Sequence, residues 1–118
     1  VAKLEQGRIV WTELPSSDGT TTKRRPAIVI TPTSKISQDE PFQVIAATTK
    51  FTEPLPDDHV QLPWHRAGKS RTQLRQPTVA VCTWIFSITE SQVEKMGGVV
   101  PPSAMIEIEA ILKRRKSE

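Results

Sequence analysis

Ten prolines, at positions 15, 26, 32, 41, 54, 56, 63, 77, 101 and 102, punctuate this chain of 118 residues. Each fixes its own φ, removes a backbone donor and disfavours helical geometry in the residue before it. Hydrophobic residues make up only 36% of the chain. Short strands joined by firm loops around a modest core are therefore expected, in one domain covering residues 1–118.

The apolar pattern between the prolines agrees. GRIVWTEL (7–14) alternates Ile9 and Trp11 with Val10 and Thr12, a strand partly buried on both faces. PSSDGTTTK (15–23) is turn chemistry, with Asp18-Gly19 as its turn dipeptide. PAIVITPT (26–33) is short and β-branched, as a central strand is, and FQVIAATTKF (42–51) reads as a third strand with a polar end. Residues 52–77 are broken by four prolines; DDHVQLP within them alternates like an edge strand, and WHRAGKSRTQLR reads as an extended basic loop. TVAVCTWIFSI (78–88) is the most apolar strand. After it, Thr89 and Gln92 have capping-box spacing, which predicts a short helix closed by Gly97-Gly98. PPSAMIEIEAILKRRK (101–116) is amphipathic, with Met105, Ile108, Ile111 and Leu112 as its apolar stripe and Glu107, Lys113 and Arg114 off it. Five or so strands followed by a helix suggest a strongly bent sheet or small barrel.

Several classes are disfavoured at once. No apolar run approaches the roughly 20 residues that cross a bilayer, and no charged-then-apolar signal segment opens the chain. The expected setting is a cytoplasm, with no membrane partner. The single cysteine, Cys82, has no partner for an internal disulfide and sits within an apolar strand, as a small core residue does. No Ser-His-Asp spacing, glycine-rich phosphate loop or HExxH-type motif occurs, and neither a metal nor another cofactor is expected.

Net charge is only +3, but it is unevenly spread. Lys23, Arg24 and Arg25 form one basic cluster; Arg66, Lys69, Arg71 and Arg75 a second; Lys113, Arg114, Arg115 and Lys116 a third. Basic loops on one face would suit a polyanion. Plain solvation explains them equally, and the third cluster also reads as a helix C-terminus favouring cations.

The order GRIVWTEL, polar loop, RRPAIVIT, VIAATTKF, then TVAVCTWIF followed by a helix resembles the PemK/MazF toxin family over nearly the whole chain. The most specific element is Arg25-Pro26 entering a β-branched strand. The resemblance implies a mainly β fold with α: a small SH3-like β-barrel of about five to seven strands, with a short helix and a C-terminal amphipathic helix, acting as a homodimer. It further implies a toxin of a toxin–antitoxin pair that cleaves single-stranded mRNA without a metal and is silenced by a cognate acidic antitoxin. The family's catalytic arginine falls on Arg25, and its threonine on Thr49, or less well on Thr48. Some relatives of this fold poison a topoisomerase instead. The chain also departs from the family pattern. SSDGTTTKR lacks the usual glutamate and glycine pair, Arg8 replaces an aspartate, and Thr83-Trp84-Ile85-Phe86-Ser87 replaces an acid- and arginine-bearing segment. These changes mark a divergent branch.

Metal-free cleavage of RNA through its own 2′-OH needs a base for that proton, a cation for the charge on phosphorus and an acid for the leaving 5′-oxygen. Arg25 suits the second task, because a guanidinium grips two phosphate oxygens in fixed geometry; the alternative is a pairing with a surface carboxylate. Thr49 would bond a phosphate oxygen or the 2′-OH, or serve simply as a strand residue. Lys23, Arg24, Lys50, Arg66, Lys69 and Arg71 are candidates for holding RNA through its phosphates. The candidate acids and bases are Asp18, the only acid of the first loop, and His65, set between Trp64 and Arg66. His59 ranks below them because it lies in an expected strand. A second reading stays open: a non-catalytic module of the same fold that binds nucleic acid or protein. Trp84 bears on it, since an outward ring would add apolar surface near the site and an inward one would be core.

Overall fold

The computed structural model describes residues 4–15, 20–37, 40–51 and 53–116, so Asp18 and Asp39 lie outside the described residues. Six strands form one antiparallel sheet: β1 (Arg8–Pro15), β2 (Thr22–Val29), β3 (Phe42–Thr48), β4 (His59–Leu62), β5 (Thr78–Ile88) and β6 (Lys95–Val99), in the order β4-β5-β3-β2-β1-β6. A single α-helix among the described residues, α1 (Pro102–Lys116), follows. The sheet curls into a half-barrel, and Arg71 and Thr72, from the loop joining β4 to β5, bridge across to β6. Val99 N–H donates to Arg71 O at 2.8 Å, and Gly98 N–H to Thr72 O at 3.2 Å. The outer edge of β6 is thus covered by chain.

Each face of the sheet has its own core. Ile9, Ile28, Ile45, Ala47, Val60, Leu62, Ala80 and Cys82 pack under Ala104, Ile108 and Ile111 of α1 and under Leu74. Met105 and Leu112 border this cluster, so the apolar stripe expected of the helix is the face it buries. Cys82 is wholly buried, as read from the sequence. The opposite face gathers Val10, Leu14, Ala27, Val29, Phe42, Val44, Ala46 and Ile88, with Trp84, Phe86 and Met96 at its margin.

β5 changes face along its length. Ile45 pairs with Ile85, whereas Ala47, two residues on, pairs with Ala80, five residues back. The odd excess of three residues in β5 reverses its alternation. Ala80 and Cys82 therefore face the first cluster, and Trp84, Phe86 and Ile88 the second.

Two expectations change. The second strand begins at Thr22 rather than at Pro26, so the basic residues belong to the sheet: Thr12 pairs with Arg25, Glu13 with Arg24 and Leu14 with Lys23. The short helix after Thr89 is only a 3-10 turn, Glu90–Gln92. Its capping box is present, with Gln92 Oε1 accepting from Thr89 N–H at 2.9 Å. Propagation stops because β1 takes over the backbone: Glu94 N–H donates to Trp11 O, and β6 pairs with β1 from there on. Thr12, buried in β1, secures the turn by donating its hydroxyl to Gln92 O at 2.8 Å. Gly97 and Gly98 end no helix; they permit close approach. A Cβ on Gly98 would collide with the carbonyl of Arg71 and the backbone of Thr72, and one on Gly97 would sit 3.1 Å from Ile9 O.

Candidate functional site

A cleft of about 370 Å³ opens where the start of β2, the end of β3, residues 72–76 and β6 converge. The local sequence explains each wall. Pro26 has no N–H to donate, yet it sits buried in the sheet opposite Trp11, which leaves the residues before it extended along β2. The segment 72–76 is shaped by Thr72, whose buried hydroxyl donates to Pro63 O at 2.6 Å and accepts from Leu74 N–H at 3.3 Å. Gln73 beside it adopts φ 62°, the left-handed region.

Five cationic residues line the cleft, Lys23, Arg24, Arg25, Arg75 and Lys95, and among the described residues no carboxylate does. Such a surface favours an anion. Arg24 and Arg25 point to opposite faces of β2, and each lies over an indole: Arg24 is 5.4 Å from the centroid of Trp11 and Arg25 5.8 Å from that of Trp84. A stacked cation holds its orientation without surrendering its donors. Arg25 is half-buried and forms no ion pair among the described residues, and its Nε is buried without a hydrogen-bond partner. The alternative of a surface carboxylate partner is therefore not what these residues show. Trp84 is both things anticipated for it, since it borders the second core and presents its ring to Arg25.

The two threonines differ in what their hydroxyls do. Thr48 is buried and accepts from Lys50 N–H at 3.1 Å, so its hydroxyl is engaged in the local turn. Thr49 is exposed and lines the cleft. Lys50 is exposed just beyond, in an adjoining depression.

The structure thus brings Arg25, Thr48, Thr49, Lys23 and Arg24 together in one cleft. It does not bring the middle of the basic loop there: His65, Arg66, Lys69 and Arg71 are exposed and outside the cleft lining. His65 is tied into its own loop, with Nδ1 accepting from Ala67 N–H at 3.0 Å and its backbone N–H donating to Leu74 O at 2.9 Å. Asp18 lies outside the described residues. Residues not singled out from the sequence also line the cleft: Trp11, Gln73, Arg75, Gln76 and Lys95. Arg75 was visible as part of a basic cluster, whereas Lys95 was concealed in the expected helix. Among the described residues no three of His, Cys, Asp and Glu gather as a metal-binding group, and no helix is long and apolar enough to cross a membrane.

Comparison with known proteins gives the fold its relatives. MazF (Form-I) from Deinococcus radiodurans superposes with a TM-score of 0.74 at 17% identity, covering 100% of both chains. An endoribonuclease from a mycobacterial species gives a TM-score of 0.73 at 12% identity, covering 99% of this chain and 94% of that one. A mycobacterial endoribonuclease in complex with its cognate antitoxin gives 0.66 at 14% identity, covering 98% and 96%. No curated protein matches in sequence. Residues 5–115, however, match the family described as PemK-like, MazF-like toxin of type II toxin-antitoxin system. With that match spanning nearly the entire chain and the fold agreeing along its length, the chain belongs to the PemK-like, MazF-like toxins of type II toxin–antitoxin systems.

Proposed function

We propose that the chain, as one domain, is an endoribonuclease toxin that cuts single-stranded mRNA in the cytoplasm through the RNA's own 2′-OH. The observation that carries this reading is the cleft itself: five cations, no described carboxylate, and an arginine whose guanidinium is stacked and free of ion pairs beside an exposed threonine. Family membership supports the toxin role, and the similarity to a mycobacterial endoribonuclease supports the chemistry.

In this reading Arg25 grips the scissile phosphate and stabilises its developing charge, with the indole of Trp84 holding the guanidinium in place. Thr49 donates its hydroxyl to a phosphate oxygen. Lys23, Arg24, Arg75 and Lys95 hold the flanking phosphates, which adds affinity rather than sequence preference. Lys50 extends the track past Thr49, and Arg66, Lys69 and Arg71 attract RNA from outside the cleft. An acidic antitoxin segment would fill the same cleft and displace RNA, which the similarity to an endoribonuclease–antitoxin complex supports. Two chains would pair as a homodimer and present a continuous groove.

Cleavage of a long single-stranded RNA in the presence of EDTA, wild type beside Arg25→Ala, tests the proposal. Discrete fragments with 2′,3′-cyclic phosphate ends from the wild type, lost in the variant, are expected. Intact RNA with the folded wild type, across many sequences, would leave a binding module instead.

A further inference from the structure

The cleft supplies cations and hydroxyls, but among the described residues it contains neither a carboxylate nor an imidazole. Its described lining offers amino, guanidino, amide and hydroxyl groups beside apolar ones, and none of these is the usual general base of RNA cleavage. The base has to come from alongside. A shallow depression of about 540 Å³ adjoins the cleft, and Thr49 lines both. Its other walls include Lys50, Phe51 and His59.

His59 is held as a base would be. Its Nδ1 lies 2.7 Å from Asp58 Oδ1, so in the neutral ring Nδ1–H donates a hydrogen bond to the carboxylate and Nε2 keeps its lone pair. The pair is pinned at both ends. Cys82 N–H donates to Asp58 O at 2.9 Å, and His59 N–H donates to Pro56 O at 3.1 Å. His59 sits opposite Val81 on β5, two residues from Thr83, where the family resemblance expects an acid and this chain has none. Its side chain is 19% exposed, which is enough for contact with a ligand in the depression.

Resting on the ribonuclease reading, we infer that His59 is the general base of the cleavage step and Asp58 its positioning residue. Nε2 of His59 takes the proton of the 2′-OH, and the 2′-oxygen forms its bond to phosphorus. The bond from phosphorus to the 5′-oxygen breaks, and the departing oxygen takes a proton from water. A 2′,3′-cyclic phosphate and a 5′-hydroxyl result, and His59 returns its proton to solvent.

The test is steady-state cleavage of a defined RNA by wild type, His59→Ala and Asp58→Asn, each with and without added imidazole. His59→Ala should lose about 100-fold or more in kcat with KM changed less than about threefold. Imidazole should restore part of that rate in His59→Ala alone. Asp58→Asn should lose roughly 10-fold in kcat and gain nothing from imidazole, because its own ring is still present. If the alanine variant shows no cooperative melting, His59→Gln takes its place. Wild-type kcat in the folded His59 variant, or a loss that imidazole does not restore, overturns the inference and leaves the ribonuclease reading standing. A wild type that makes no cyclic phosphate ends overturns both.

Discussion

The guanidinium of Arg25 lies 5.8 Å from the ring centroid of Trp84, on the face of the sheet that Ala27 and Val29 bury. The two residues come from β2 and β5, with β3 between them. The contact therefore depends on the register of β5 against β3 that sets Trp84 on this face. Trp84→Phe should keep most of the packing and cleavage within about 10-fold, whereas Trp84→Ala should cost about 2–3 kcal/mol in urea unfolding and 10-fold or more in single-turnover rate at a temperature where it stays folded.

Arg25→Ala should lower the single-turnover rate about 100- to 1000-fold with little change in melting temperature. Arg25→Lys should recover only a small part, because an ammonium grips phosphate at one point and stacks less well on the indole. Near wild-type cleavage by the lysine variant would argue that charge alone is needed there.

The two threonines should separate cleanly. Thr48→Ala removes the acceptor for Lys50 N–H and should cost about 1 kcal/mol of stability, read from urea midpoints. Thr49→Ala leaves stability unchanged and should slow cleavage by roughly 10-fold or more, the loss of a single phosphate-bonding donor. A reversed pattern would move the functional hydroxyl to Thr48.

Most of the fold was legible because its signals are local. β1 and β5 alternate or run apolar between turn residues, and α1 has a 3.6-residue stripe. The region after Thr89 was not, because a genuine capping box begins a turn that only the long-range pairing of β6 with β1 diverts. The same misreading concealed Lys95 as a lining residue of the cleft. Arg25 and Thr49 line one cleft, where the resemblance sets an arginine of Arg-Pro with a threonine at the end of the third strand. Gln73 and Gln76 were not legible as its lining, since they enter the cleft through a loop docked on Gly98, a contact between residues far apart in sequence. That His59 borders a depression beside the cleft was not legible for a related reason: a strand position says nothing about which hollow its side chain lines.

Gly98→Ala should be among the costliest small substitutions in the protein. The added methyl meets backbone on two sides, which cannot swing away as a side chain would. A loss of about 2–3 kcal/mol is expected by urea unfolding, and cleavage should fall with it as residues 72–76 shift. Unchanged stability would mean that the bridge to β6 is dispensable.

Binding, measured apart from cleavage on a fully 2′-O-methylated RNA, should weaken steeply with salt. If all five cations of the cleft meet phosphates, the slope of log K against log salt should be roughly −3.5, and Lys95→Ala should make it shallower by about 0.7. A slope near zero would remove phosphate contact from the account.

The surplus residues of β5 let one strand look into two interiors without a break. Ala80 and Trp84 stand an even number of places apart, yet belong to opposite interiors, because three residues are taken up between the two pairing registers. The neighbouring strand, and not the count within β5, decides which way each half points: Ala80 takes the face of Ala47, and Ile85 that of Ile45. Removing one residue from 81–83 would leave Ala80 and Ile85 an even number of places apart, so plain alternation would carry the chain from one register to the other. Trp84, Phe86 and Ile88 would keep the core they now border, and the ring would stay beneath Arg25. The stretch 81–83 is therefore a seam, where a lost codon shortens the slack without turning either half over.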